Sequence, residues 1–282
     1  MKGVSYYIKT ILGKTEYLFS GLSVPAGELV VLNYHGTQKR FLPEFQKQLD
    51  FLSKHFSFFN PEELPRYFSK KNNFLKPAVL ITFDDGIKNN LHAARILSER
   101  KIYALFFIVP GFVESSETML EAYFRKNIRQ EIDRSIGTLQ EDLTPMNWGD
   151  LQEIKKLGHI IGAHSTTQTL DSATSNDEKS FHEIVVCKNL LSAATNSNIS
   201  SFCAPNNSLL SCGIREMKLI KQHYNFFFST IPGSNLSENN PFFIHRSNVE
   251  VDWNKGAFIQ SIGKWDRERW EGKSKLFRKI TG

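Results

Sequence analysis

A single-domain α/β fold, its parallel strands curling into a distorted barrel, is what this sequence predicts. Three observations carry the prediction. Apolar, β-rich runs alternate with stretches of helical periodicity, the pattern of a parallel sheet with helices outside. The chain has 282 residues, close to the roughly 250 that an α/β barrel takes as one domain. Polar residues recur directly after the apolar runs, where the catalytic face of a barrel lies.

The elements follow in order. Residues 28–34 form an apolar run, and residues 42–55 have helical spacing at Phe45, Leu49 and Leu52. A short helix is expected over 61–68, opened by Asn60 and Pro61. The run at 78–83 is a buried strand, 89–100 a helix with Leu91, Ala94, Ile96 and Leu97 inward, and 103–109 a strand stopped by Pro110 and Gly111. Residues 112–146 are polar and mixed, and read as an insertion of helix and loop. Asn147 caps a helix that buries Leu151, Ile154 and Leu157 and ends at Gly158. Strands are expected at 159–163, 199–204 and 225–231, helices at 179–191 and 210–224, and one more short strand within 242–251. The chain therefore divides into an N-terminal segment (1–27), a barrel domain (28–252) and a basic tail (253–282).

Composition narrows the class. An apolar content of 40% with 23% charged residues is that of a protein with a buried core. The three cysteines form no paired framework and no zinc-type spacing. No secretory signal and no stretch near the roughly 20 apolar residues of a spanning helix is evident. A cytoplasmic protein is expected. The net charge of +6 is concentrated at the C-terminus, where residues 264–282 carry seven Lys/Arg against three Asp/Glu. Trp265, Trp270, Leu276 and Phe277 are interleaved with those charges, and Tyr6, Tyr7, Ile8, Ile11 and Leu12 with Lys2, Lys9 and Lys14. Two readings of the termini stand open: helices packed on the body, or contact with an anionic membrane surface. No nucleic-acid motif accompanies the charge.

The chemistry sits after the strands. Thr82-Phe83-Asp84-Asp85-Gly86 ends the 78–83 run with two adjacent carboxylates. They repel each other when crowded into one cleft, and a cation relieves that. His35, His164 and the Pro205-Asn206-Asn207 turn follow three other runs. Turns alone do not account for this recurrence.

These residues resemble the polysaccharide deacetylases of the NodB-homology type, carbohydrate esterase family 4. Thr82–Gly86 matches the first family motif intact, and His164-Ser165-Thr166-Thr167-Gln168 stands in the place of its His-Ser/Thr-x-x-His motif. Leu32-Asn33-Tyr34-His35, the set Trp148, Gly158, His159, Ile161 and His164, and a degenerate Phe202-Cys203-Ala204-Pro205-Asn206-Asn207 complete the likeness, which covers about residues 28–250. The resemblance implies a barrel of the NodB-homology type. It also implies removal of an acetyl group from an N-acetylated sugar of a surface-polysaccharide intermediate, assisted by a divalent ion such as zinc. By resemblance Asp84 is the general base, Asp85 and His164 are metal ligands, and Arg246 orients the base. His245 beside it is a candidate general acid.

The departures define the open questions. Gln168 replaces the second motif histidine, and an amide oxygen is a weaker zinc ligand than imidazole. Gln168 is thus either a weak third ligand or part of a metal-free pocket, and His35 or water would fill the gap. Ala204 replaces a tyrosine, leaving its backbone N–H as an oxyanion donor. Asn207 is expected to keep the turn in a left-handed conformation. Residues His35, Ala204, Pro205 and Asn206 are assigned to the substrate side. Trp148 reads as packing under the second motif, His92, His182 and His223 as ordinary helix histidines, and Cys203 as a neighbour of the site. An altered, metal-independent hydrolase of another carbon–nitrogen bond and a silent sugar-binding protein remain alternatives.

Overall fold

A computed structural model of the chain describes residues 4–69, 76–113, 144–236 and 240–281. Eight strands, all paired in parallel, form one sheet: β1 (Leu29–Tyr34), β2 (Ser57–Phe58), β3 (Ala78–Phe83), β4 (Ala104–Ile108), β5 (Ile160–Ala163), β6 (Ser201–Cys203), β7 (Phe226–Phe228) and β8 (Ser247–Asn248). Their order is β7-β6-β5-β4-β3-β1-β8, with β2 beside the start of β3. Most of the insertion expected across 112–146 lies outside the described residues.

One short segment joins the two ends of this sheet. Ile244 bridges Phe228 of β7, while Ser247 and Asn248 pair with Leu32 and Asn33 of β1. The sheet thereby closes into the distorted barrel that the sequence predicts. The strand expected within 242–251 is real but interrupted. Arg246, between its two pairings, turns its N–H to the Ile231 carbonyl instead.

Strand side chains alternate between two sides, and here both sides are apolar. Leu29, Val31, Ala78, Leu80, Leu105, Phe107, Phe226, Phe228 and Ile244 share the core inside the barrel. Val30, Leu32, Val79, Ile81, Phe106 and Ile108 face the outer core beneath the helices. Burial on both sides is why these strands read as continuous apolar runs. Each Leu or Phe fully removed from water contributes roughly 1.5–3 kcal/mol.

The helices keep their expected places with local changes. Asn147 and Asp150 cap Trp148–Lys156 reciprocally. Gly158 follows in the left-handed region at φ +88°, against the Tyr103 ring. Trp148 is partly buried and packs on the core. The helix expected over 179–191 begins at Asp177, runs to Thr195, and contains a π turn at His182–Val186. The one expected over 210–224 is split into Ser208–Ser211 and Ile214–His223.

Both termini are helical. The helix Val4–Ser20 crosses Lys255–Ile262 at a close approach, where a Cβ on Gly13 would stand 1.9 Å from the Gly256 carbonyl oxygen. After it come Lys264–Glu268 and Glu271–Thr281, with a buried ion pair from Arg267 to Glu28 at the start of the barrel. No described helix is long and apolar enough to cross a membrane.

Candidate active site

The turn after β3 explains how adjacent aspartates come to share a cleft. The Asp84 N–H donates to the Tyr34 carbonyl at 2.9 Å, the last rung between β3 and β1. Its side chain continues the inward series through Thr82. Asp85 would point the other way, but it and Gly86 take φ values of +72° and +79°, and the turn brings its carboxylate back. Asp84 Oδ2 and Asp85 Oδ1 stand 3.8 and 3.5 Å from His164 Nε2. All three side chains are buried.

Arg246 reaches Asp84 from the closing segment. Nη1 and Nη2 donate to the two carboxylate oxygens at 2.7 and 2.9 Å, a bidentate pair. Nε donates to the Ser229 carbonyl at 3.0 Å, and Nη2 to Cys203 Sγ at 2.7 Å. The guanidinium carbon lies 5.3 Å from the centre of the Phe107 ring. Burial alone would raise the Asp84 carboxyl, but the charge of Arg246, then of His164, overrides it and holds the group at about 2. Burial pushes the Cys203 thiol up, so it stays protonated at neutral pH.

His164 is oriented by Nδ1, which lies 3.2 Å from the Cys203 carbonyl. Donation there leaves Nε2 facing the carboxylates. Burial favours the neutral ring, yet the Cys203 sulfur and the Asp84 and Asp85 carboxylates favour the charged one, and its pKa is raised well above the ordinary value. Because Cys203 is itself a neutral thiol, the carboxylates carry this effect. An imidazolium is one way to neutralise the pair. A divalent ion on the deprotonated ring is the other.

Gln168 completes the cluster. Its Nε2 donates to Asp85 Oδ1, while its buried Oε1 has no hydrogen-bond partner. Its backbone is left-handed at φ +58°, as is that of Ser165 at +61°, and Ser165 Oγ accepts the Gln168 N–H at 3.0 Å. The loop is clamped from outside. Thr166 donates its N–H to the Glu183 carbonyl at 3.1 Å, and Thr167 donates N–H and hydroxyl to the Glu183 carboxylate at 3.0 and 2.6 Å. Glu183 lies in the π turn, a feature frequent beside functional sites. Sequence reasoning missed it, because the only local signal is one acid in an ordinary-looking helix.

Two donor sets are available to a cation. Asp84, His164 and Cys203 have ligand atoms within 4.8 Å of one another. A dication there would face the buried Arg246 guanidinium, which already bonds both Asp84 and Cys203. The set Asp85, His164 and Gln168 fits better. It pairs a carboxylate and an imidazole with an amide whose oxygen is an orphaned buried acceptor. Turning the amide would set that oxygen against Asp85, an arrangement that a cation between them stabilises.

The remaining expected residues are placed as follows. His35 is half-buried after β1, and its charge is among those that lower the Asp84 pKa. Pro205 is buried and Asn206 exposed, with Asn206 Nδ2 donating to the Gln168 carbonyl at 3.3 Å. Two expectations are corrected. The Ala204 N–H donates to the Phe228 carbonyl at 3.1 Å, extending the β6–β7 ladder, so it is not a free oxyanion donor. The left-handed turn residue is Asn206 at φ +52°, whereas Asn207, at φ −95°, caps Ser208–Ser211. His245 is not brought to Asp84. Its Nδ1 meets the Ile231 carbonyl at 3.0 Å, Phe243 lies edge-on at 4.6 Å, and a Cβ on Gly233 would touch the ring at 2.7 Å. Burial lowers its pKa to about 4.

The family model described as polysaccharide deacetylase matches residues 71–218. No curated protein matches the chain. Among solved structures, the Streptococcus pyogenes deacetylase PplD in complex with acetate is similar, with a TM-score of 0.64 at 17% identity, covering 84% of this chain and 99% of that one. IcaB from Ammonifex degensii has a TM-score of 0.64 at 21% identity, covering 84% and 96%. The BpsB deacetylase domain from Bordetella bronchiseptica has 0.59 at 15%, covering 80% and 98%. At these identities the likeness is one of fold.

Proposed function

Because this chain belongs to the polysaccharide deacetylase family, a family of hydrolases of non-peptide carbon–nitrogen bonds, we propose that it removes the acetyl group from the nitrogen of an acetamido sugar in a saccharide chain. The observation that carries this reading is the convergence of Asp85, His164 and the orphaned Gln168 amide oxygen beside an ionised Asp84. Asp85, His164 and Gln168 would hold a divalent ion, with zinc suited to the imidazole and carboxylate donors. When bound, such an ion polarises the amide carbonyl and makes water more acidic.

Asp84 remains ionised and accepts the proton of the attacking water at Oδ2, the oxygen nearer His164 Nε2. Arg246 fixes the carboxylate in place and keeps it a weak base. Asp84 therefore holds the proton only briefly. Transfer to the departing nitrogen breaks the carbon–nitrogen bond and gives acetate and the free amine. His35, Pro205 and Asn206 line the approach for the sugar.

One observation favours a metal-free alternative. An imidazolium at His164 and the Gln168 Nε2 donor balance Asp85 without any cation. The test is metal analysis of the purified protein together with acetate release from N-acetylglucosamine oligomers before and after chelation. Loss of release on chelation and recovery with zinc are expected. Release that survives complete chelation would leave the metal-free hydrolase.

A further inference from the structure

We propose that the exposed face of the helix Val4–Ser20 docks the protein on an anionic lipid surface. The inference goes beyond the deacetylase reading and does not rest on it. Val4, Tyr7, Ile8, Ile11, Leu18 and Phe19 are 52–85% exposed. At 3.6 residues per turn they share one side of the helix, an apolar stripe interrupted between Ile11 and Leu18 by Lys14 and Thr15. Exposed apolar surface grouped in this way marks an interaction site rather than chance exposure.

Among the described residues, the helix is held to the body by its other side. Gly13 abuts Gly256, and Thr10 Oγ1 donates to Asn254 Oδ1 at 3.3 Å. The Asn254 N–H donates to Tyr6 Oη at 3.2 Å, and Tyr17 Oη meets His55 Nε2 at 3.5 Å. These residues lie opposite Val4, Ile8 and Ile11 on the helical wheel.

The surroundings of the stripe choose its occupant. The backbone N–H of Trp265, whose side chain is 63% exposed, donates to Glu16 Oε1 at 3.3 Å, which sets residue 265 beside the last turns of the helix. Lys14 flanks the stripe and is exposed. The following segment, 264–282, has a net charge of +4, from seven Lys/Arg less three Asp/Glu. Lys255, exposed, stands over the Tyr17 ring of the helix Val4–Ser20 at 5.0 Å. An apolar helical face with a tryptophan and basic residues near it is the chemistry of a helix lying in a bilayer interface. Anionic headgroups answer the positive charge. A second copy seated on the stripe would instead bring the like charges that flank it together.

The experiment is co-sedimentation of the full chain with vesicles of equimolar phosphatidylcholine and phosphatidylglycerol, compared with pure phosphatidylcholine. The native chain should pellet with the mixed vesicles, and less so at high salt. The double variant Ile11→Asp/Leu18→Asp should bind at least about tenfold more weakly while keeping the native circular dichroism and melting temperature, since both positions are exposed. Tryptophan fluorescence of the native chain should be quenched by brominated lipid, and Trp265→Phe should remove most of that quenching. Undiminished binding by the double variant would overturn the proposal, as would a native chain that stays in the supernatant at low salt. A dimer in light scattering that the same variant converts to monomer, without vesicle binding, would assign the stripe to a second copy instead.

Discussion

The two halves of the site are built differently. Asp84 and Arg246 lie on the inside of the barrel, and every guanidinium nitrogen has an acceptor there. Asp85 and Gln168 have left-handed backbone, His164 ends the β5 ladder just before left-handed Ser165, and one amide oxygen is left without a partner. The first half is electrostatically complete as it stands. The second keeps an unused acceptor at Gln168 Oε1, and its charge is balanced by an imidazolium at His164 or by a cation. The contrast makes the proposed roles of base and metal ligand separable by substitution.

Removing Arg246 breaks the complete half and should have the largest effect. Arg246→Met leaves Asp84 buried and unpaired, which should cost about 3–5 kcal/mol of stability, read by urea denaturation. Acetate release should fall with it, since the carboxylate is no longer fixed. Unchanged stability would mean that the pair is not the anchor described.

Substitution at the two aspartates separates the halves directly. Asp84→Asn keeps the shape and should lower turnover by about 10²–10⁴-fold with metal content nearly unchanged. Asp85→Ala should lose both. The reverse pattern, measured by metal analysis and single-turnover kinetics, would exchange their roles.

Acid should act through the closing segment. His245 is buried neutral, with its pKa lowered to about 4 from the ordinary 6.5. The unfolded chain therefore binds this proton more readily than the folded one. The stability associated with the neutral ring is fully present above pH 6.5 and is lost as pH falls toward 4, by up to about 3 kcal/mol. His245→Phe should flatten that part of the stability–pH curve. An unaltered curve would place the acid sensitivity elsewhere.

Completing the second half is the gentlest test. Gln168→His supplies an imidazole where the amide now stands. Zinc affinity by calorimetry should rise at least about tenfold, or roughly 1.4 kcal/mol. No change would mean that residue 168 does not face the metal.

Much of this was legible in the sequence. Asp84 and His164 follow apolar strands, so the barrel periodicity alone put them on one face. Asp85 needed more, because strand alternation points it away and only the left-handed turn returns it. Arg246 was legible by likeness, but its grip on Asp84 depends on barrel closure between residues about 160 positions apart. His245, its immediate neighbour, looked as promising and faces elsewhere, since successive residues of an extended segment alternate. The Ala204 N–H was misjudged because its pairing with β7 is invisible in one strand. Asn206 and Asn207 are the same residue type, and only the helix that Asn207 caps decides which one turns.

The barrel's seam is a short pairing, a single bridge at Ile244 and two pairs at β8, and Arg246 rides on it. Pairings this few open locally at lower cost than the long β1–β3 ladder. Heating should therefore silence the protein before melting it. Inactivation would run ahead of global unfolding, and amide exchange at residues 244–249 would be the early sign of it.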